Sequence, residues 1–202
     1  LMSNNYLKLL KLIFKNNSLL RVLQIYECLN ISLNGTSIEF GATDNQDKTF
    51  SNFVKGKSKF HYSNKISNKK LKIFYSDLTK KLKIPSQKYN NVLFFNVLEH
   101  LPEYKLAFSE IFRIIKKGGF FIGSVPFIYQ IHAAPNDYFR FTKQFFELNL
   151  KKYKFKRVKI KALGFGPFTA SYSLLYPYLK YLPLLSQICL LLAYILDSFI
   201  QI

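Results

Sequence analysis

The stretch that most restricts the fold is "NNVLFFNVLEHLPEYKLAFSEIFRIIKKGGFFIGSVP", residues 90–126. Residues 91–96 are a nearly continuous apolar run, the pattern of a strand buried on both faces in a parallel sheet. Ala107, Ile111, Ile114 and Ile115 then recur at i, i+4, i+7 and i+8, which predicts an amphipathic helix turned toward that sheet. Gly118 and Gly119 stand where a left-handed cap would end the helix, and "FFIGSVP" reads as the next buried strand. Strand, helix and strand in this order commit the chain to an α/β fold with a parallel sheet.

The rest of the chain extends the pattern. Apolar spacing over residues 6–29, broken at Asn16-Asn17-Ser18, predicts two helices. "SIEF", residues 37–40, is a short strand that stops at Gly41 before the polar "GATDNQDKT". Two further strands are expected near residues 59–62 and 71–75, the second closed by Asp77. A helix is expected over residues 142–150. "YKFKRVKIKAL", residues 153–163, alternates basic and apolar positions like an edge strand with one wet face, its lysines discouraging unwanted pairing. The expected architecture is a Rossmann-like, doubly wound, mostly parallel sheet with helices on both faces and an apolar C-terminal helical tail. It divides into N-terminal helices (1–36), a Rossmann-like domain (37–163) and an apolar helical region (164–202). In such sheets ligands bind outside the carboxyl ends of the strands. Gly41, Asp77, residues 96–100 and the segment after Pro126 are therefore expected to share one crevice.

Hydrophobic residues make up 49% of the 202 residues and aromatics 17%, which excludes a disordered chain. The net charge of +19 invites a polyanionic partner, yet only four of the 30 basic residues are Arg (Arg21, Arg113, Arg140, Arg157). Lys, Asn, Ile, Phe and Tyr are all plentiful, as an AT-rich coding sequence would produce without a partner. Nucleic-acid readers rely on guanidinium forks, so nucleic acid is not the expected partner. Cys28 and Cys189 lie far apart in apolar surroundings and match no metal spacing; they read as core thiols of a reducing, cytoplasmic compartment, and no metal site is expected. "LMSNNYLKLLKLIF" reads as an amphipathic helix and not as a signal peptide. Residues 182–202 carry one charge, Asp197, and are long enough to cross a bilayer. Ser186, Gln187, Asp197 and Gln201 argue against spanning; a helix lying in the membrane interface and one packed on protein both remain open.

The words "NNVLFFNVLEHL", "RIIKKGG" and "FFIGSVP" together resemble the class I S-adenosylmethionine-dependent methyltransferases of the type 11 group. The resemblance runs from Ser37 to about Leu163. "VPFIYQIHAAPNDYFRFT", residues 125–142, is similar to a segment of methyltransferases associated with cell-surface polysaccharide gene clusters. These likenesses imply S-adenosyl-L-methionine as cofactor and a small-molecule, saccharide or glycolipid acceptor, handled in the cytoplasm or at the inner membrane face. By the same likeness Glu39 and Gly41 would approach the methionine part of the cofactor, Asn64 the ribose, Asp77 the adenine, with Phe95 and Asn96 passing beside it. Two positions depart from the family pattern. Thr43 stands where a second Gly is usual, and Ser63-Asn64 where a carboxylate is usual; a neutral amide bonds the ribose hydroxyls less strongly than a charged group.

Methyl transfer to a hydroxyl needs alignment and removal of one proton. Imidazole titrates near neutrality, so His132 and His100 are the candidate bases, His132 first because its segment is expected to face the acceptor. Tyr129, Asp137, Tyr138 and Arg140 are candidate acceptor contacts. Asp137 and Arg140 also have a plainer reading, an ion pair that braces the loop, and Asp77 one as a helix N-cap. The two departures leave a rival in view: a non-catalytic relative that keeps the fold as a binding or scaffold module.

Overall fold

Five strands, β1 (Gly35–Phe40), β2 (Ser58–Asn64), β3 (Ile73–Tyr75), β4 (Tyr89–Phe95) and β5 (Ile115–Ser124), form one sheet in the order β3-β2-β1-β4-β5. All four pairings are parallel. The structure is a computed structural model that describes residue 12 and residues 17–43, 49–133 and 135–200. Among the described residues five α-helices accompany the sheet: α1 (Leu19–Cys28), α2 (Tyr104–Ile114), α3 (Lys143–Lys152), α4 (Pro167–Leu179) and α5 (Pro183–Ile200). This is the Rossmann-like α/β fold that the strand–helix–strand pattern predicts. The first of the two expected N-terminal helices lies almost wholly outside the described residues.

The chain divides into two compact units. One comprises Asn30–Phe127 and His132–Ile160, the other Leu1–Leu29, Ile128–Ile131 and Lys161–Ile202. In the first, β1 and β4 are the central strands, and Ile38, Phe40, Val92, Leu93 and Phe94 are almost fully excluded from water. Their near-continuous apolar sequence follows from burial on both faces. Helix α2 lays Ala107, Phe108, Ile111 and Ile114, all fully buried, into the same core. Helix α3 starts where the Thr142 side chain accepts from the Phe145 amide, and its Phe145 and Phe146 surround Phe108 and Phe141. The chain leaves β1 toward β2 and β3, then returns to place β4 on β1's other side. That reversal makes the carboxyl ends of β1 and β4 the switch point at which ligands of such sheets sit.

Three expectations about the second half are corrected. Gly118 and Gly119 do not cap a helix: α2 ends at Ile114, Ile115 is already extended, and both glycines lie inside β5. Between Tyr89↔Ile115 and Asn91↔Phe120 the register shifts, so β5 carries extra residues that must bulge out. Gly118 takes φ 78°, and a Cβ on Gly119 would lie 2.5 Å from the Asn90 carbonyl oxygen. The glycine pair thus serves a bulge instead of a cap. Second, "FFIGSVP" is not a buried strand: β5 is the sheet edge, with Phe120 well exposed. Third, residues 153–163 form no strand. Phe155 there packs on Phe121 and Phe112 instead, 5.7 Å from each ring, so its apolar positions cover the core without joining the ladder.

A buried ion pair locks α2 to the β3–β4 connection. Glu110 accepts from the Leu82 amide at 2.7 Å and from Arg113 Nε and an η nitrogen at 2.8 and 2.6 Å, while Arg113 also donates to the Leu82 and Ile84 carbonyls. The Arg113 hydrogen bonds hold the Glu110 carboxyl below its ordinary pKa. Because the folded value is depressed, its stabilisation is complete above the ordinary carboxylate range and is lost as pH falls through the folded value. Arg113→Met is expected to cost about 3 kcal/mol in urea denaturation at neutral pH. The gap between variant and parent should narrow in acid; a constant gap down to acid pH would contradict the pairing.

In the second unit α1, α4 and α5 share an apolar cluster of Leu19, Tyr172, Tyr176 and Ala193. Ser18 caps α1 by accepting from the Arg21 amide. Asp197 of α5 caps α4, accepting from the Phe168 and Thr169 amides at 2.9 Å each and from the Thr169 hydroxyl at 2.6 Å. Ser186 bonds the Tyr172 hydroxyl at 2.8 Å. Two polar residues that weaken α5 as a membrane segment are therefore satisfied inside the α4–α5 hairpin. Cys28 and Cys189 are both free thiols.

Candidate active site

At the carboxyl end of β1 the chain turns through Gly41, φ 77°, where a Cβ would come within 2.7 Å of Val97 Cγ2. Only glycine fits without strain, and the Gly41 and Ala42 amides both bond the Ser63 carbonyl of β2, at 2.9 and 3.3 Å. The neighbouring Glu39 is nearly fully buried, and its two oxygens accept from the Phe50 and Ser51 amides at 2.8 and 2.9 Å. That carboxylate fastens the returning loop under the sheet end. Phe50 stacks on Phe95, the last residue of β4, with ring centroids 4.2 Å apart. Phe50 was not singled out from the sequence; an isolated aromatic just after a polar loop is the only signal it leaves there.

Asn64 ends β2. Its amide nitrogen donates to the Ala42 carbonyl at 2.7 Å and its amide oxygen accepts from the Lys65 amide at 2.6 Å. Asp77, two residues beyond β3, accepts from the Thr79 amide and hydroxyl at 3.0 and 2.7 Å, bonds that depress its pKa. The residues after it form a turn, so the helix N-cap reading of Asp77 is replaced by a turn cap. Asn96, directly after β4, takes φ 52° and donates its amide to the Ser124 carbonyl of β5. Gly41, Asn64, Asp77, Phe95 and Asn96 thus all lie at carboxyl ends of strands in one unit. Asn64 is tied directly to the β1 turn, whereas Asp77 bonds Thr79 and pairs with Lys80 within its own turn.

A denser polar cluster follows β4. Leu98–His100 is a single 3-10 turn, and it fully buries Glu99. Burial pushes the Glu99 carboxyl up to about 7, and neither of its oxygens has a hydrogen-bond partner among the described residues. Facing it is the segment 135–141, hung on the core by Phe139 and Phe141. Both rings pack against Tyr104 at the start of α2, at 5.4 and 5.8 Å. The Tyr138 amide bonds the Glu99 carbonyl at 2.8 Å and sets the segment's register. Asp137, nearly fully buried, receives Arg140 through both terminal nitrogens, at 2.6 and 2.7 Å, and the His132 amide at 3.0 Å. The Arg140 guanidinium holds the Asp137 carboxyl well below the usual carboxylate range. The bracing pair expected of these two residues is present.

The two imidazoles meet here. His132 Nδ1 lies 3.2 Å from Asp137 Oδ2, and His100 Nδ1 lies 2.6 Å from the Asn136 carbonyl oxygen. Their ring centroids are 5.0 Å apart at 79°. With Nδ1 turned to an oxygen acceptor, each neutral ring carries its proton there and its lone pair on Nε2. Tyr138 is exposed, and its hydroxyl accepts from the Asn136 amide at 2.9 Å. Tyr129 falls in the other compact unit, with residues 128–131. The structure therefore groups His100, His132, Asp137, Tyr138 and Arg140 within one unit.

The family model described as a methyltransferase domain matches residues 19–123. No curated protein matches the chain. Among solved structures, the chain is similar to one in the complex between the Haloferax volcanii Trm112 methyltransferase activator and a methyltransferase. There the TM-score is 0.58 at 12% identity, covering 74% of this chain and 76% of that one. It is also similar to the Burkholderia thailandensis 1,6-didemethyltoxoflavin-N1-methyltransferase, solved with 1,6-didemethyltoxoflavin and S-adenosylhomocysteine. That likeness has a TM-score of 0.54 at 12% identity, covering 75% of this chain and 74% of the other. At such identity these two structures speak for the fold alone.

Proposed function

Because the chain belongs to the methyltransferase domain family, we propose that it moves a methyl group from S-adenosylmethionine to a hydroxyl of a small-molecule or saccharide acceptor. The observation that carries this reading is the imidazole pair beside the carboxyl end of β4, each ring fixed through Nδ1. When bound, S-adenosylmethionine supplies an electrophilic methyl on a sulfonium. The residue at the β1 turn suits its methionine end: Gly41 takes a left-handed φ of 77° and puts no side chain between its backbone and a ligand. Phe95, Asn96 and Asp77 line the remaining strand ends. His132 is the base, taking the acceptor proton on Nε2 while Asp137 holds Nδ1–H and stabilises the resulting cation. His100, its ring centroid 5.0 Å from that of His132, is the second candidate base. Tyr138 offers an exposed aromatic face of the kind sugars stack on, and the Arg140–Asp137 pair keeps the segment in place.

Incubation with methyl-labelled S-adenosylmethionine and a panel of sugars, glycolipids and nucleic acids tests the reading. Label is expected in a hydroxylated saccharide or small molecule; label confined to nucleic acid would contradict it. One observation favours the rival, a non-catalytic binding or scaffold module. Asn64 stands where a ribose-binding carboxylate is usual, and both ends of its amide are engaged by backbone groups.

The same proposal attaches the chain to a lipid surface through α5. With Ser186, Ala193 and Asp197 turned inward, α5 exposes Leu184, Ile188, Leu191 and Phe199. It is long and apolar enough to cross a membrane by length and composition alone. Exposed Tyr178 and Tyr181 flank Lys180, which lies 4.9 Å over the Tyr181 ring. Tyrosine and lysine at one end of an apolar face suit the interface between headgroups and chains. Leu184→Asp with Leu191→Asp is expected to lower partitioning onto anionic vesicles about a hundredfold, from about 1.5 kcal/mol lost per leucine. Unchanged flotation with vesicles would contradict membrane attachment.

A further inference from the structure

The buried Glu99 carboxylate has no role in the proton transfer above. A carboxylate held out of water without a hydrogen-bond partner is costly, and among the described residues neither Glu99 oxygen has one. The Arg140 charge beside it is already matched by Asp137 in a two-nitrogen pair. What Glu99 does face is His100, with Oε1 3.7 Å from Nε2. One ligand atom each from Glu99, His100 and His132 lies within 4.8 Å of the others.

We propose that Glu99, His100 and His132 form a three-ligand site for a divalent transition metal, with Zn²⁺ the best match to two imidazoles and one carboxylate. Tetrahedral zinc with bonds of about 2.1 Å sets its ligand atoms about 3.4 Å apart. The Glu99–His100 pair, at 3.7 Å, stands near that spacing, and all three ligand atoms lie within 4.8 Å of one another, so side-chain adjustment alone can bring them to one ion. The outer contacts are those of a metal site. A ligating histidine commonly donates its other ring N–H to a carboxylate or a backbone carbonyl; His132 turns Nδ1 to Asp137, and His100 turns Nδ1 to the Asn136 carbonyl. Three protein ligands leave a fourth position for an oxygen ligand, the arrangement of reactive rather than purely structural zinc. A hydroxylated acceptor fits that position by its chemistry. Metal and proton compete for the same His132 lone pair, so in the metal-bound state His132 orients the ion and does not act as the base. The site stands whether or not the chain transfers methyl groups.

Tag-free protein stripped with a chelator and titrated with Co²⁺ tests it through the visible bands of four-coordinate cobalt. One equivalent is expected to give those bands, and one equivalent of Zn²⁺ to remove them. His132→Ala and Glu99→Gln are each expected to weaken binding more than about a hundredfold, beyond the loss typical of an outer contact. Glu99→Gln removes a buried charge, so folding should survive it, and His61→Gln, the remaining histidine, should bind as the parent does. Absence of the bands in the parent protein overturns the proposal, as does their persistence in both ligand variants. No methyl-transfer readout enters, so this result and that of the labelling experiment stand apart.

Discussion

Asp137→Asn is expected to unfold the site segment and to stop methyl transfer together. The substitution removes the anion that receives both terminal nitrogens of Arg140, leaving a guanidinium, about a quarter exposed, without its partner. Breaking a buried pair from one side costs about 3 kcal/mol or more. It also changes what His132 Nδ1 meets: an amide nitrogen can face the ring where an acceptor stood, which favours the wrong tautomer and takes the lone pair off Nε2. Turnover is expected to fall at least about a hundredfold even at temperatures where the variant stays folded. Urea denaturation followed by tyrosine fluorescence gives the first quantity, and kcat measured on folded protein the second. A stable variant with parental turnover would remove Asp137 from the account.

His132→Ala separates chemistry from folding. His132 is about one-third exposed and sits in an irregular segment, so the substitution should change stability little. Loss of a positioned base lowers kcat by about 10² to 10⁴, and S-adenosylmethionine affinity should be unchanged because Gly41 and Asp77 lie at other strand ends. Turnover within a few-fold of the parent would move the base to His100 or dispense with one.

The parallel sheet was legible because two-faced burial leaves a plain mark: residues 91–96 could hardly be anything but a central strand, and β4 is one. The α2 spacing was equally direct. The edge was not legible. Alternation over residues 153–163 describes a half-buried segment without saying whether its backbone pairs, and here Phe155 reaches the core from an irregular chain. Gly118 and Gly119 carried a real backbone signal, but a helix cap and a strand bulge both ask for a left-handed residue or a close carbonyl, and sequence alone does not choose. At the site, the Asp137–Arg140 pair was readable from its spacing. The Glu99–His100–His132 cluster was not, since its two histidines are 32 residues apart and Glu99 looks like any acid at a helix start. The docking of residues 135–141 on Tyr104 and on the Glu99 carbonyl brings them together.

Calorimetric titration of the intact chain with S-adenosylmethionine, and with S-adenosylhomocysteine beside it, tests the central claim most directly. Binding at a single site is expected, lost in Gly41→Val, whose side chain would meet both a left-handed φ and Val97 Cγ2. No heat at millimolar cofactor, or binding that Gly41→Val leaves intact, would contradict methyl transfer at the β1–β4 crevice and favour the scaffold reading.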